Sequence, residues 1–166
     1  MNRLALAAVD PRPRERVLEV GFGGGALLRQ LRKAGAEVTG VDISPAMVRR
    51  GRKGGFAAFE GSADALPLPD RHADKAVSVN SLYFWPDAAA AITELARVVR
   101  RGGRLVLCFQ APEAVRAWPG HVHGFRAYEA EQVAAMMKAA GFAEPAIASG
   151  EDRRLGRFFC MTSERL

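Results

Sequence analysis

Little in this chain of 166 residues could staple it, anchor it or coordinate a metal. It has two cysteines, Cys108 and Cys160, each inside an apolar run. Two are too few for a disulfide framework and are not spaced as metal ligands, so they read as buried, reduced thiols. No apolar run approaches the roughly 18–20 residues that a bilayer span needs. Met1 to Val9 carries one arginine and a short apolar stretch, without the apolar core and cleavage site of a signal peptide. These absences point to a cytoplasmic protein with no metal and no membrane span. Repeats and low-complexity segments are also missing. A composition of 49% apolar and 25% charged residues excludes a disordered chain. The length suits a single domain over residues 1–166.

Charge is present in excess of one sign. The formal net charge is +6, and 20 of the 24 basic residues are arginine. Such a balance permits anionic partners. The arginines are spread through several elements rather than gathered in a stripe, so nucleic acid is not the expected partner.

Apolar runs alternate with helical patterns along the chain. Arg16 to Val20 is a strand-like run stopped by Gly21, and Gly25 to Lys33 has the 3.6-residue spacing of a helix closed by Gly35. Ala36 to Asp42 reads as a second strand. Ser44-Pro45 then reads as an N-cap and first helical residue, opening a helix to about Arg52. A short strand follows at Phe56 to Glu60, then a loop from Gly61 to Asp74, then a strand at Lys75 to Asn80. Pro86-Asp87 opens a helix with Ala91, Ile92, Leu95, Val98 and Val99 on one face, ended by Gly102-Gly103. Arg104 to Phe109 is apolar nearly throughout, as a parallel strand covered on both faces requires. Ala111 to Tyr128 is irregular, and Glu129 to Ala140 is helical. Ala143 to Ala148 and Arg157 to Thr162 are strands joined by a link too short for a helical crossover, hence an antiparallel hairpin. The expected fold is α/β: a doubly wound, Rossmann-like, seven-stranded sheet, mostly parallel, with a C-terminal antiparallel β-hairpin.

The turn after the first strand carries the chemistry. In Glu19-Val20-Gly21-Phe22-Gly23-Gly24-Gly25 the glycines permit positive φ and close approach of a ligand to the backbone. The helix behind presents free N–H groups. Ligands of such sheets bind at the carboxyl ends of the strands. Gly21, Gly23 and Ala26 also satisfy a dinucleotide-binding pattern, so the turn alone does not decide. Three acids sharpen it. Glu19 lies at the strand end. Asp42 ends the second strand, where a carboxylate can take both hydroxyls of a ribose. Asp64 follows the third strand, where one can accept from an exocyclic amino group. Each also has a plainer role open to it: Glu19 or Asp42 as a helix cap, Asp64 as a turn residue.

Glu19 to Gly25, Val41-Asp42-Ile43-Ser44, Asp64-Ala65-Leu66-Pro67 and Arg101-Gly102-Gly103-Arg104-Leu105 resemble, in order and spacing, the motifs of the class I S-adenosylmethionine-dependent methyltransferases. Within them the chain is most similar to the ubiquinone/menaquinone-biosynthesis-type, or type 11, branch, closely over about Val17 to Phe109. The resemblance implies S-adenosylmethionine as cofactor and S-adenosylhomocysteine as product. It implies that Gly21, Phe22 and Gly23 pass the methionine part, with Glu19 helping to hold its amino group. Asp42 would bind the ribose and Ile43 pack on the adenine face. Ser62, Ala63 and Asp64 would read the adenine edge, and Asn80 would line the place where the methyl group meets the acceptor.

Acceptor groups should lie after strands four and five. Tyr83, His121 and His123 are the candidate catalytic side chains, and Phe84, Trp85 and Trp118 candidate pocket walls. The two histidines have no carboxylate or cysteine spaced to complete a metal site. Only about 16 residues precede the first strand, where the family usually carries lid helices. The short segment 1–15 stands in their place, and the cover is expected from the loop around Trp118 to Phe125 or from a second subunit in a homodimer. The expected function is methyl transfer to a small, apolar or aromatic acceptor. A non-catalytic subunit that keeps the fold, and an RNA methyltransferase, are the alternatives. A dinucleotide-dependent oxidoreductase would need a second domain for which there is no room.

Overall fold

The computed structural model describes residues 1–118 and 125–166. Its centre is a seven-stranded sheet in the order β3-β2-β1-β4-β5-β7-β6. Strands β1 (Arg16–Val20), β2 (Glu37–Asp42), β3 (Ala57–Glu60), β4 (Ala73–Val79) and β5 (Val99–Gln110) pair in parallel. The last two, β6 (Ala146–Asp152) and β7 (Gly156–Glu164), form an antiparallel hairpin, with β7 also antiparallel to β5. This is the α/β, doubly wound sheet the patterning predicts. The chain leaves β1 towards β2 on one side and β4 on the other, so the turns after β1 and β4 meet at the carboxyl edge.

Alternate residues of the strands face opposite layers, as a period of two dictates. Leu18, Val20, Leu105, Leu107 and Met161 pack with α4 (Ala88–Val98) and α6 (Ala130–Ala139). Val17, Val77 and Val106 pack with α1 (Asn2–Val9) and α2 (Ala26–Lys33). Leu28 of α2 and Val48 of α3 (Pro45–Lys53) enclose Phe22 and Phe56. Sheets covered on both faces need apolar residues at successive positions, which is what β1 and β5 supply.

The caps follow the sequence. Ser44 Oγ accepts from Met47 N–H at the start of α3, with Pro45 in the first turn. Asp87 Oδ1 accepts from the N–H groups of Ala89 and Ala90 at 2.9 and 3.0 Å at the start of α4. Gly35 closes the turn after α2 with φ 93°.

Four features depart from the expectations. The segment before β1 contains a helix, α1, with Ala5 and Val9 fully buried on the sheet. It is tied down by Arg104 Nη1 donating to Ala8 O at 2.9 Å and Lys75 Nζ donating to Asp10 O at 2.6 Å. A six-residue helix, α5 (Pro112–Ala117), and a 3-10 turn at Leu82–Phe84 stand in segments read as irregular. Helix α4 ends at Val98 rather than at Gly102-Gly103, because Val99 already pairs with Ala73 of β4 and the glycines lie inside β5. Finally, the two cysteines are buried as expected but are not separate thiols. The register of β5 and β7 sets Cys108 opposite Cys160, and the two are joined as a disulfide. A sequence separation of 52 hid that register from spacing rules.

Among the described residues, no helix is long and apolar enough to cross a membrane.

Candidate functional site

The chain path brings three turns to one edge: after β1, after β2 and after β4. The first is held from both sides. Gly21 N–H donates to Val41 O and Gly25 N–H to Phe22 O, both at 2.8 Å. Gly21, Gly23 and Gly25 have φ of 72°, 49° and 69°, which an L side chain rarely adopts. Their surroundings differ. A Cβ on Gly21 would stand 2.7 Å from the Ser81 side chain, whereas one on Gly23 would meet nothing within 4 Å. Gly21 is therefore a packing glycine, and Gly23 leaves room for a ligand.

Asp42 joins the first two turns. Its Oδ2 accepts from Gly23 N–H at 2.8 Å and its Oδ1 from Ser44 N–H at 2.9 Å, in a residue only 8% exposed. Each carboxylate oxygen keeps a second lone pair for a donor arriving from the cavity. Under the turn, Ser78 Oγ donates to Val20 O at 2.9 Å and lies 2.5 Å from Ser81 Oγ. This buried link fixes the distance between the turns after β1 and β4.

Two cavities open on this edge. The smaller, about 360 Å³, is walled by Gly21, Gly23, Asp42, Ile43, Ser62 and Ala63. The larger, about 550 Å³, is walled by Tyr83, Gln110, Trp118, Arg154 and Leu155 among others. Asn80 and Phe84 line both, so the cavities meet there. Both volumes suit small organic ligands. Ile43, Phe84 and Trp118 are 69%, 54% and 48% exposed, although the core would shelter such side chains. Their exposure into cavities is what a bound apolar group would relieve.

Asn80 stands at the junction in the left-handed region, φ 60°. Its Oδ1 is buried with no hydrogen-bond partner among the described residues. A buried acceptor left unpaired costs about 1–3 kcal/mol, so this atom is suited to a donor from a ligand. Two aromatic rings on the wall of the larger cavity, Phe84 and Trp118, are linked through Phe125. Phe84 and Phe125 meet edge to face at 4.6 Å, and Trp118 stacks on Phe125 at 5.0 Å. Burial pushes the Tyr83 hydroxyl well above the ordinary range of a phenol, so Tyr83 stays protonated at neutral pH.

The structure brings together Gly21, Gly23, Asp42, Ile43, Ser62, Ala63 and Asn80 at the smaller cavity. It does not bring Glu19 or Phe22 to that wall. Glu19 is 4% exposed behind the turn, and its buried Oε2 has no hydrogen-bond partner among the described residues. Burial above all, with the nearby Asp42 charge, raises its carboxyl to about 8. Phe22 is 4% exposed and packs between Gly40 and Gly51, where a Cβ at either position would press on its ring. Asp64 lies beside the wall and accepts from Ser62 Oγ. Tyr83 lines the larger cavity, while His121 and His123 fall outside the described residues.

Other lining residues escaped the sequence reading. Met47 and Pro86 extend the smaller wall, and Gln110, Arg154 and Leu155 the larger. Gln110 had a legible signal, a lone amide at the carboxyl end of an apolar strand. Arg154 and Leu155 had none, since only the β6–β7 register places their turn beside Gln110, whose Nε2 donates to Leu155 O at 2.6 Å. No residue of the segment 1–15 lines either cavity.

Comparison with known proteins agrees with this geometry. Residues 18–107 match the family model described as a methyltransferase domain. The chain is similar to an uncharacterized methyltransferase of Bacillus subtilis, 35% identical over 86% of this chain and 76% of that protein. It is also similar to a demethylmenaquinone methyltransferase of Corynebacterium kroppenstedtii, 38% identical over 63% of this chain but only 46% of that protein. Among solved structures, a methyltransferase of Thermotoga maritima described as S-adenosylmethionine-dependent and possibly acting on histamine superposes with a TM-score of 0.83. It covers 99% of this chain and 89% of its own, at 23% identity.

Proposed function

Since the chain belongs to the class I S-adenosylmethionine-dependent methyltransferases, in their type 11 branch, we propose that the smaller cavity holds the cofactor and the larger one a small, apolar or aromatic acceptor. One observation carries this reading: the two cavities meet at Asn80 and Phe84. Transfer between two bound molecules needs their reacting atoms in contact, and a shared wall provides for it.

The residues present fit the cofactor. The free lone pairs of Asp42 suit the two hydroxyls of a ribose. The exposed face of Ile43 suits an adenine ring, whose edge Ser62, Ala63 and Asp64 would read. The open backbone at Gly23, with Gly21 beneath it, suits the methionine part. Glu19, buried behind this turn with Oε2 unpaired among the described residues, suits a donor such as the amino group of that part. Bound there, S-adenosylmethionine supplies a methyl group already activated on a sulfonium.

What remains for the chain is alignment and exclusion of water. Phe84, at the junction, closes the line between the cavities and keeps it dry. Asn80 Oδ1 accepts a hydrogen bond from the attacking group and so turns its lone pair towards the methyl carbon. Among the described residues, the larger cavity has no carboxylate or imidazole in its lining, and Tyr83 is not ionised. This wall suits an amine or hydroxyl that keeps its proton until the bond to carbon has begun to form.

Calorimetric titration with S-adenosylmethionine, S-adenosylhomocysteine and NAD tests the reading. Micromolar binding of the first two without NAD supports it. Binding of NAD alone, or of none, overturns it.

A further inference from the structure

The larger cavity is apolar on most of its wall, yet one formal charge is built into it. Tyr83, Phe84, Trp118, Leu155 and two alanines supply the apolar surface. Among the described lining residues Arg154 alone is charged, and no carboxylate faces it from the same wall. Of the nearby acids, Asp152 feels the Arg154 charge but makes no ion pair with its guanidinium. Glu113 of α5 lies 3.8 Å from Arg157, and Asp152 lies 4.0 Å from the Met1 ammonium. No hydrogen bond or ion pair joins the Arg154 guanidinium to a described residue, whereas Arg97 and Arg100 each have carboxylate partners.

The backbone that carries Arg154 is fixed. Asp152 Oδ1 accepts from the N–H groups of Arg154 and Leu155 at 2.9 and 3.2 Å. Gln110 Nε2 holds Leu155 O at 2.6 Å. Gly156, with φ 71°, comes so close to α5 that a Cβ would stand 3.0 Å from the Ala114 Cβ. The turn is thus pinned to β5 and to α5, and the exposed Arg154 lines the same cavity as Asn80. A planar guanidinium at the rim of an apolar cleft is matched by a carboxylate, sulfonate or phosphate oxyanion, which it meets with two parallel hydrogen bonds.

Building on the proposed function, we infer that the acceptor is an amphipathic acid: an apolar or aromatic body carrying one oxyanion that pairs with Arg154, its nucleophile at the opposite end beside Asn80. Arg154 is then a specificity-determining residue that selects acidic over neutral acceptors and fixes which end of the molecule reaches the methyl group. It does no chemistry itself.

Two fluorescent probes of similar aromatic body test this: 8-anilinonaphthalene-1-sulfonate, which is anionic, and N-phenyl-1-naphthylamine, which is neutral. Each is titrated into the full chain saturated with S-adenosylhomocysteine, with Trp118→Ala to localise binding to this cavity. Arg154→Gln should weaken the sulfonate about five- to tenfold and leave the neutral probe unchanged, while Arg154→Lys, which keeps the charge but not the planar fork, should recover only part of that loss. Added salt should weaken the sulfonate in the wild type but not in Arg154→Gln. Equal sulfonate affinity in wild type and Arg154→Gln, or binding of neither probe, overturns the inference. Failure of S-adenosylhomocysteine to bind in the same samples instead overturns the cofactor reading on which it rests.

Discussion

Removing the Asp42 carboxylate tests the proposed cofactor half of the site. The carboxylate accepts from Gly23 N–H at 2.8 Å and Ser44 N–H at 2.9 Å. Hydrogen bonds to a charged group contribute about 1.5–3 kcal/mol each. Gly23 and Ser44 are half-exposed, so water can satisfy their N–H groups after truncation. The cost of Asp42→Ala to the fold should therefore be near the low end, about 1–2 kcal/mol, or a fall in Tm of roughly 3–6 °C. Cofactor binding loses the ribose contacts and the anchor of Gly23 together. A loss of about 1–3 kcal/mol, roughly five- to 150-fold in Kd, is expected. Asp42→Asn discriminates further. An amide presents one oxygen and one NH₂, so whichever way it turns, an N–H faces the N–H of Gly23 or of Ser44. Asparagine should then be no better than alanine, although it is the closer isostere. Calorimetric titration with S-adenosylhomocysteine, paired with thermal melts, measures both quantities. Asp42→Asn binding as tightly as the wild type would refute the argument, because neither the backbone bonds nor the ribose would then depend on the carboxylate.

Three further outcomes are expected. Glu19, held protonated at neutral pH by a carboxyl raised to about 8, makes the folded chain bind a proton that the unfolded chain has released, so stability should fall as pH rises from about 4.5 to 8. Glu19→Gln should flatten melting temperature against pH over that window, with a gain at pH 8 of up to about 5 kcal/mol, and equal slopes in the two proteins would refute it. Gly21→Ala should cost about 2–3 kcal/mol of stability by pressing on Ser81 as well as by its positive φ, whereas Gly23→Ala, with open space before it, should cost only the backbone strain of φ 49°, about 1 kcal/mol, and weaken S-adenosylhomocysteine; melts and titrations of the pair check the contrast. Arg97→Lys should loosen the loop beside Ser62, since Arg97 donates to Leu66 O, Leu68 O, Asp70 and Glu94 at once, and faster hydrogen exchange at Leu68 with an unchanged β1 would show it.

What was legible in the sequence was local. Gly35, Ser44-Pro45 and Asp87 mark helix ends by their own chemistry, and each stands where that chemistry placed it. The carboxyl-edge turns were legible for the same reason, because glycine at positive φ and an acid at a strand end act on their nearest neighbours. The hairpin was legible from its short connection. What stayed hidden depended on register. Cys108 meets Cys160, and the Arg154 turn meets Gln110, only because β7 enters between β5 and β6. Helix α1 was hidden because its apolar stretch was too short to read as more than an N-terminal segment, yet Ala5 and Val9 bury fully on the sheet. The Phe22 side chain is likewise placed by residues distant in sequence. Its place in the glycine motif suggested ligand contact, but the small residues Gly40 and Gly51 leave it a slot in the interior.

On the proposed function, the two halves of the site are built from different materials, and this decides how each responds to change. The cofactor half is largely backbone, held by buried polar bonds: Asp42 to two N–H groups and Ser78 to Val20 O. Moving the turn breaks these bonds together, and an unpaired buried group is costly, so this half is stiff. The acceptor half is made of side chains from three separate segments: Phe84 after β4, Trp118 after α5, and Leu155 in the β6–β7 turn. Its aromatic contacts are individually worth about 0.5–1.5 kcal/mol and tolerate a change of partner. Substitutions at Trp118 or Leu155 should therefore alter which probe binds without altering affinity for S-adenosylhomocysteine. Asn80 and Phe84 belong to both walls, so a change at either must move both affinities. Phe84→Ala affecting one ligand alone would show that the cavities do not act as a single site.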